Sequence, residues 1–461
     1  MTANDPAAIS INPFTGRTIA TFPNQTDAEV EQTLSATAAA FRVWRQTPIA
    51  DRAAIVRQMG LTLRTRSDEF AEDITREMGK TLAEARAEVQ KCADQCEWYA
   101  ANGPSMLADK AVSVEKGDAY ISYLPLGPVL GVMPWNFPIW QVLRAAVPII
   151  LSGNCFVLKH SRNVMRSAFN IEDAWDQSGL PKGLFSILNI PQDKVAAVLA
   201  DRRIAAVTVT AGTKAGSAVA SQAGSLLKKS VLELGGSDAF IVLKDADVEQ
   251  AVAAGIRARF QNNGQVCIAA KRFILEKPIA KEFTDRLVEG VRALRLGDPT
   301  ESETQLGPMA RVDLRTELHN QIESSKRAGA EILTGGGFTS DAGYFYRPTV
   351  LNHVAPGMAA FDQETFGPCA ALTVVGDLDQ AVALANHSQY GLSGNLWTKD
   401  LDLAGKAARR LETGGVFING FSASDPRVPI GGVKMSGYGR ELSYFGATEF
   451  VNIQTVWRNR S

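Results

Sequence analysis

Residues 129–159 read VLGVMPWNFPIWQVLRAAVPIILSGNCFVLK, and their pattern indicates the fold class of the chain. An apolar strand at Val129–Met133 leads through a turn into a helical pattern, and a second apolar strand follows at Cys155–Leu158. Two more strands of this kind follow at Phe185–Leu188 and Ala206–Val209. Strands that alternate with helices predict a parallel sheet with helices on both faces, which binds nucleotides at the carboxyl ends of its strands.

The same reasoning extends to both sides of this stretch. Helical periodicity covers Asp27–Arg45 and Ala50–Thr65, and Ser67–Gly103 indicates one or two longer helices. A second α/β series runs from Ala239 to about Ile418. We therefore expect two doubly wound parallel-sheet domains.

Two further segments look like strands that have no core of their own. Ala119–Leu124 alternates apolar and polar residues, and Glu449–Trp457 has a strand-like composition at the end of the printed sequence. Such arms favour pairing with each other or across subunits, while the simpler alternative is an edge strand within the monomer.

Composition excludes several classes of partner. The 461 residues are 45% hydrophobic and 21% charged, with a formal net charge of -1, so no basic field favours nucleic acid or an anionic membrane. The first residues lack the basic and apolar regions of a signal peptide, and the apolar stretch Ala145–Leu151 is too short to span a bilayer. We expect neither nucleic acid nor membrane as a partner.

The five cysteines indicate a reducing compartment, and we expect a cytoplasmic protein. An odd, sparse set in a long chain argues against a disulfide framework. Cys92 and Cys96 share a helix face, but no histidine lies within thirty residues of them, so both are interpreted as small core residues. No metal site is expected.

The chemistry centres on Cys267 in the segment QNNGQVCI and on Glu233 in the segment LELGG, thirty-four residues earlier. A thiol can act as a covalent nucleophile, and a carboxylate folded beside it can activate water. Together they would form and then hydrolyse an acyl-enzyme. Taken singly, the cysteine could be a buried apolar residue, and the glutamate could cap a loop or pair with a lysine.

Five segments in this order resemble the aldehyde dehydrogenase superfamily: PWNFP (134–138), LK (158–159), the Glu233 segment, the Cys267 segment and ETFGP (364–368). Within it, the chain is most similar to bacterial NAD(P)-dependent succinate-semialdehyde dehydrogenases. The resemblance implies a dinucleotide-binding domain at 1–117 and 138–235, and a catalytic domain at 236–427. It also implies a β-arm for oligomerisation at 118–137 and 440–461.

The resemblance assigns the catalytic residues as Cys267, Glu233 and Asn136. The thiolate of Cys267 would attack the aldehyde carbon and form a thiohemiacetal. The side-chain amide of Asn136 and the backbone N–H of Cys267 would stabilise its oxyanion. After hydride leaves to a nicotinamide cofactor, Glu233 would activate the water that cleaves the thioester.

The resemblance also implies a set of cofactor-binding residues. Lys159 would bind the adenosine ribose, Glu364 the nicotinamide ribose, and the segment 208–216 would place a helix N-terminus at the pyrophosphate. Relatives usually carry Gly-Ser where this chain has Ala211-Gly212. The full set is Trp135, Lys159, Arg162, Gly212, Thr213, Glu364 and Phe366.

Arg162 bears on the choice between NADP and NAD. NAD-selective relatives carry a glutamate at this position, which repels a 2′-phosphate, whereas an arginine can pair with one. The alternative is a solvated arginine that points away. We expect NADP to be used and NAD to be accepted as well.

Four residues are candidates for the substrate pocket: Trp140, Arg144, Gln261 and Ser424. Trp140 and Arg144 share a helix face, and the resemblance implies that Arg144 binds a distal carboxylate with Ser424 as a second donor. The alternative for Arg144 is an intramolecular salt bridge. Enzymes of the γ-aminobutyrate pathway often have a second arginine where this chain has Gln261.

These residues lead to one expectation and two rivals. We expect a homodimeric or homotetrameric NAD(P)+-dependent enzyme that oxidises succinate semialdehyde, a small-molecule aldehyde, to succinate. A broad aliphatic or glutarate-semialdehyde dehydrogenase is the rival among enzymes. An inactive binding or structural protein on the same scaffold is the rival from another class.

Overall fold

The computed structural model describes residues 7–339 and 343–459. The helices in these ranges are α1 (Asp27–Trp44), α2 (Ile49–Thr65), α3 (Ser67–Met78), α4 (Leu82–Met106), α5 (Trp140–Leu151), α6 (Met165–Gln177), α7 (Val195–Ala200), α8 (Thr213–Ser225), α9 (Val248–Phe260), α10 (Lys277–Arg292), α11 (Val312–Arg327), α12 (Ala359–Asp362), α13 (Leu378–Asn386), α14 (Leu401–Ala408) and α15 (Ser443–Glu449).

The strands in these ranges are β1 (Ala7–Ile11), β2 (Thr18–Pro23), β3 (Lys110–Val112), β4 (Asp118–Pro125), β5 (Pro128–Val132), β6 (Cys155–Lys159), β7 (Phe185–Ile187), β8 (Ala206–Thr210), β9 (Lys229–Glu233), β10 (Asp238–Val242), β11 (Ala270–Glu276), β12 (Glu331–Thr334), β13 (Thr349–Asn352), β14 (Cys369–Val375), β15 (Tyr390–Gly391), β16 (Ser393–Trp397), β17 (Gly415–Ile418), β18 (Val433–Lys434), β19 (Gly437–Tyr438) and β20 (Val451–Arg458).

The first large sheet has the strand order β19-β9-β8-β5-β6-β7. Strands β5 to β9 are parallel, which confirms the parallel sheet predicted from their apolar runs, and β19 pairs antiparallel at the edge. From β5 the chain adds β6 and β7 on one side, and then crosses over to add β8 and β9 on the other side. The order in which strands are added therefore reverses between β5 and β8. In open α/β sheets, ligands bind outside the carboxyl ends of the strands at such a reversal.

The second large sheet has the order β12-β13-β14-β11-β10-β16-β17 and is parallel except for β12. Its strands β11 and β14 are hydrogen-bonded neighbours. Because parallel strands start at the same edge, the loops that precede β11 and β14 lie side by side. Those loops carry Cys267 and the segment Glu364–Phe366.

The two arms pair with each other within the chain. Strand β20 runs antiparallel to β4 from the pair Val451–Pro125 to the pair Arg458–Asp118, and β3 adds a third strand. The neighbouring strand β5 belongs instead to the six-stranded sheet. The role of the arm in oligomerisation and the domain bounds stay predictions.

A buried ion pair fixes α5 against α4. The Nζ of Lys80 lies 2.6 Å from Glu88 Oε2, and neither side chain has any exposed surface. The other carboxylate oxygen of Glu88 accepts hydrogen bonds from the backbone N–H groups of Ile139 and Trp140, 2.9 Å each, at the start of α5. The Glu88 carboxylate therefore accepts hydrogen bonds from backbone N–H groups that have no partner within α5, and it also neutralises the buried Lys80.

Replacement of Lys80 by methionine tests this anchor. The substitution leaves the Glu88 carboxylate buried without its counterion, so we expect the free energy of unfolding to fall by about 3 kcal/mol or more. Urea unfolding followed by circular dichroism measures it. Lys281→Met is the matched control, since its exposed ion pair with Asp285 should contribute little. Equal losses in the two variants would contradict this role for the buried pair.

Candidate active site

The loop before Cys267 is a tight left-handed turn. Asn262, Asn263 and Gly264 all have positive φ values of 51°, 55° and 72°. Asparagine and glycine tolerate this region best, which explains the amide-rich segment. A Cβ on Gly264 would lie closer than 3.0 Å to the backbone carbonyl oxygen of Gly367. The turn and the neighbouring loop are therefore in backbone contact.

Two buried cations hold this turn in place. Arg259 donates to the carbonyl oxygens of Thr365 (2.9 Å), in the loop before β14, and of Cys369 (2.6 Å), the first residue of β14. Lys271 Nζ donates to the carbonyl oxygens of Val266 (3.0 Å) and Cys267 (2.7 Å). Both side chains are buried, so backbone dipoles replace the water that their charges lose.

Asn136 lies on the loop after β5, beside the nucleophile loop. Its side-chain Nδ2 donates to the carbonyl oxygen of Gln265 at 3.0 Å, and its own carbonyl accepts from Asn262 at 2.8 Å. An amide nitrogen carries two hydrogens. One is used on Gln265, and the second can serve an oxyanion formed at Cys267.

Glu233 is the last residue of β9 and is almost fully buried. Its Oε2 lies 3.7 Å from Arg144 Nη2, while Oε1 has no hydrogen-bond partner among the residues that the structure describes. Burial and the nearby Glu441 raise its pKa to about 7, against the opposing effect of Arg144. A carboxyl group with this pKa can take and release a proton near neutral pH.

Arg144 lies in an ion-pair cluster. Its Nε donates to Glu441, its Nη2 lies 3.4 Å from Thr210 Oγ1, and Thr208 donates to Glu441 at 3.2 Å. The intramolecular salt bridge considered from the sequence is therefore present. The predicted contact between Arg144 and a substrate carboxylate stays a prediction.

Cys267 is the most accessible of the five cysteines, since the other four are buried. Burial raises the pKa of its thiol to about 11, whereas Arg144 and Lys271 favour the thiolate. The thiol must therefore release its proton to solvent before sulfur can attack a carbonyl carbon. Glu233 lines the same cavity, where its carboxylate can act on water.

Two cavities meet at Cys267. One, of about 440 Å³, also contains Asn136, Glu233 and the N-terminus of α8; the other, of about 550 Å³, leads away along α4, α5 and α9. Of the predicted residues, Trp135, Gly212, Glu364 and Phe366 line the smaller cavity. Trp140, Arg144, Gln261 and Ser424 line the larger one. The nucleophile can thus reach a ligand on either side.

The smaller cavity suits a dinucleotide. Gly212 is the N-cap of the 13-residue helix α8, and a Cβ built on it would meet no heavy atom within 4 Å, so a phosphate can approach the helix N-terminus. Trp135 and Phe366 make an edge-to-face contact with centroids 5.8 Å apart. Glu364 Oε1 accepts from the N–H of Gly236 at 3.0 Å, close to Lys271.

The remaining cofactor candidates lie outside the lining of this cavity. Lys159 ends β6, and burial lowers its pKa to about 8. Arg162 donates to the backbone carbonyl of Ala7 in β1. Thr213 Oγ1 lies 3.5 Å from the carbonyl of Met435. Lys159 is at the carboxyl end of its strand, and Arg162 and Thr213 follow such ends, at the edge of the six-stranded sheet where the sequence predicted the cofactor.

Sequence reasoning missed four residues of the site: Lys91, Arg259, Lys271 and Glu441. Lys91 projects from α4 into the larger cavity and donates to Ser424 at 2.6 Å. No linear motif connects these residues with the nucleophile. Only the three-dimensional fold brings them together.

Within residues 7–339 and 343–459, no helix is long and apolar enough to cross a membrane. Over the same residues, no group of three or more histidine, cysteine, aspartate or glutamate side chains could hold a metal ion.

Comparison with known proteins accounts for this geometry. A model of the aldehyde dehydrogenase family matches residues 2–456. The chain belongs to the aldehyde dehydrogenase family. It is thus an aldehyde dehydrogenase by family, and the predicted α/β fold of that family is confirmed.

Several members of the family that this chain is similar to are named as succinate-semialdehyde dehydrogenases. The chain is 54% identical, over 98% of both proteins, to a succinate semialdehyde dehydrogenase, NAD(P)+, of Escherichia coli (strain K12). A probable NADP+-dependent succinate-semialdehyde dehydrogenase of Synechocystis is 44% identical over 98% of this chain and 99% of that one. The succinic semialdehyde dehydrogenase of Streptococcus pyogenes in complex with NADP+ is 36% identical, with a TM-score of 0.97 over 98% and 100% of the two chains.

Gly264→Ala tests the turn before the nucleophile. The substitution places a Cβ against Gly367 at positive φ, so the Cys267 loop must shift, and a shift of about 1 Å can lower turnover about 100-fold. Aldehyde-dependent reduction of cofactor measures turnover. Gly405→Ala, in α14 with open space around it, is the matched control and should leave turnover unchanged. Normal turnover in the Gly264 variant would rule out a fixed turn.

Proposed function

We propose that this aldehyde dehydrogenase oxidises succinate semialdehyde to succinate with NADP+ or NAD+ as the hydride acceptor. The observation that carries the proposal is the position of Cys267 at the junction of two cavities, with the buried carboxylate of Glu233 facing one of them. The names of the relatives supply the substrate and the cofactors.

In the first half of the reaction, the Cys267 thiol releases its proton to solvent and its sulfur bonds to the aldehyde carbon. The carbonyl oxygen becomes an oxyanion, which the Asn136 amide and the backbone N–H of Cys267 stabilise. When the oxyanion collapses, the C–H bond breaks and leaves a thioester on Cys267. When bound, NAD(P)+ supplies the acceptor for that hydride.

In the second half, Glu233 takes a proton from water, and the resulting hydroxide attacks the thioester carbon. The C–S bond breaks and the Cys267 thiolate returns. The carboxylic acid product and Glu233 then release their protons to solvent, and the product leaves as the carboxylate. Arg144 keeps the Glu233 carboxylate anionic enough to act, while burial keeps its pKa high enough to accept a proton.

We propose that the smaller cavity holds the cofactor. Trp135, Gly212, Glu364 and Phe366 line it, and the open N-terminus of α8 suits the pyrophosphate. The predicted contacts of Lys159, Arg162 and Thr213 with the cofactor belong to the same proposal. An arginine in place of an acid at position 162 removes a charge that would repel a 2′-phosphate.

We also propose a cytoplasmic homodimer or homotetramer. The five free thiols support a reducing compartment. Exposed apolar side chains on β20, Ile453 and Trp457, support an interface along the three-stranded sheet. Light scattering coupled to size-exclusion chromatography tests the assembly.

A panel of aldehydes tests the function. Succinate semialdehyde, glutarate semialdehyde and butanal are compared with NADP+ and NAD+ by the absorbance of the reduced cofactor. Butanal has the same four-carbon chain with a methyl in place of the carboxylate. Because a site that binds a polar group discriminates against analogues lacking it, kcat/KM should favour succinate semialdehyde over butanal at least about 100-fold.

Three outcomes separate the rivals. No turnover with any aldehyde would favour an inactive protein. Equal efficiency with butanal would indicate a broad aliphatic enzyme, and a preference for glutarate semialdehyde would change the substrate but retain the class.

Glu233→Gln tests the base. The amide keeps the shape but cannot accept a proton, so steady-state turnover should fall about 100-fold or more while the first turnover of reduced cofactor persists as a burst. In the unsubstituted enzyme, the hydrolytic step should speed up as pH rises through about 7, where the carboxyl group loses its proton. Stopped-flow absorbance measures both. Unchanged turnover in the variant, or an unchanged pH dependence of its hydrolytic step, would assign the base elsewhere. Loss of the burst would show that Glu233 acts before hydride transfer.

A further inference from the structure

The larger cavity is lined by three basic side chains, Lys91, Arg144 and Arg257, and by two acidic ones, Glu84 and Glu88. Both acids already have partners. Glu84 caps α4 through Thr81 and accepts from the Asn262 N–H at 2.6 Å, and Glu88 holds Lys80 and two backbone donors. The cavity therefore has more positive than negative charge available to a ligand.

The three basic residues differ in what they already bind. Arg144 is paired with Glu441 and lies 3.7 Å from Glu233. Arg257 is exposed and stacks on the Phe421 ring at 5.2 Å. Neither is a buried cation in need of an anion.

Lys91 is a partly buried cation that can pair with an anionic ligand. Its Nζ donates to Ser424 Oγ at 2.6 Å and lies 4.2 Å from the centroid of the Trp140 ring, and no ion pair joins it to any residue in the described ranges. The nearby Asp425 is bound by Arg427 at 2.6 Å. Burial lowers the pKa of Lys91 to about 8, because the groups around the ammonium do not fully replace the water that it loses.

We propose that Lys91, assisted by the Ser424 hydroxyl and seated on the Trp140 ring, binds the distal carboxylate of the semialdehyde. Arg144 is then a positioning residue that pairs with Glu233 and Glu441. This rests on the proposed function, because it names the group that selects its substrate. Ser424 accepts from Lys91 and keeps its own hydrogen for the carboxylate, so the two donors are organised before the substrate arrives.

Lys91→Met removes the charge and retains most of the apolar stem. Because the variant lacks the cation that pairs with the distal carboxylate, kcat/KM for succinate semialdehyde should fall on the order of 30-fold or more. The kcat/KM for butanal, which has no carboxylate, should stay within about twofold. Lys399→Met, an exposed lysine ahead of α14, is the matched control and should change neither value. Lys91→Arg should restore part of the preference.

Arg144→Met separates the two cations. Without Arg144, Glu233 and Glu441 are buried carboxylates with no paired guanidinium, so turnover should fall for both aldehydes by a similar factor. A selective loss of succinate semialdehyde in this variant, with no selective loss in Lys91→Met, would overturn the proposal. So would an equal loss for both aldehydes in Lys91→Met, which would indicate a structural role.

The pH dependence of the preference gives an independent readout. The charged or titratable groups that act on Lys91 are Glu88 and Cys92 on α4, Arg144 on α5 and Asp425 after β17. Because kcat/KM reports the free enzyme, the ratio of succinate semialdehyde to butanal should fall as pH rises through about 8 and Lys91 loses its proton. In Lys91→Arg the ratio should stay constant, since arginine remains charged. A constant ratio in the unsubstituted enzyme would contradict the proposal.

Failure of this proposal and failure of the proposed function are distinguishable. If the unsubstituted enzyme itself does not prefer succinate semialdehyde over butanal, the proposed substrate is wrong. If it has that preference and Lys91→Met retains it, only the assignment of Lys91 is wrong.

Discussion

The guanidinium of Arg144 lies between the buried carboxylates of Glu233 and Glu441, and the site depends on this arrangement. Burial removes water from both carboxylates and disfavours their charged forms. One shared cation stabilises their charges and also favours the thiolate of Cys267. Because Arg144 belongs to α5, Glu233 ends β9 and Glu441 precedes α15, the same interaction ties the six-stranded sheet to the segment that leads into the arm.

A second constraint places the nucleophile against this cluster. The left-handed turn at residues 262–264 requires residues that tolerate positive φ. Arg259 donates to the carbonyl oxygens of Gly264 and of the adjoining loop, and Lys271 donates to the carbonyl oxygen of Cys267. These cations are buried and donate mostly to carbonyl oxygens, so they act as cross-links between loops. Cys267 is thereby fixed where the two cavities meet, and hydride acceptor and aldehyde can approach from different sides.

The sequence predicts the parts of this structure that follow local patterns. Apolar strand runs such as Cys155–Leu158 gave the parallel sheet, and the motifs around Cys267 and Asn136 gave the family. Arg144 and Glu441 are 297 residues apart, so no local pattern could pair them. Lys91 looks like any lysine on an amphipathic helix, and its position over Trp140 depends on how α4 packs against α5. Long-range partners of buried charges were thus the part that local patterns could not supply.

We expect the aldehyde carbon to become bonded to Cys267 before water releases it. Peptide mass spectrometry of Glu233→Gln enzyme, quenched in acid after mixing with succinate semialdehyde and NADP+, detects that bond. A succinyl adduct is expected on the peptide that contains Cys267, in proportion to the reduced cofactor formed. Reduced cofactor without any adduct, or an adduct on another residue, would contradict it.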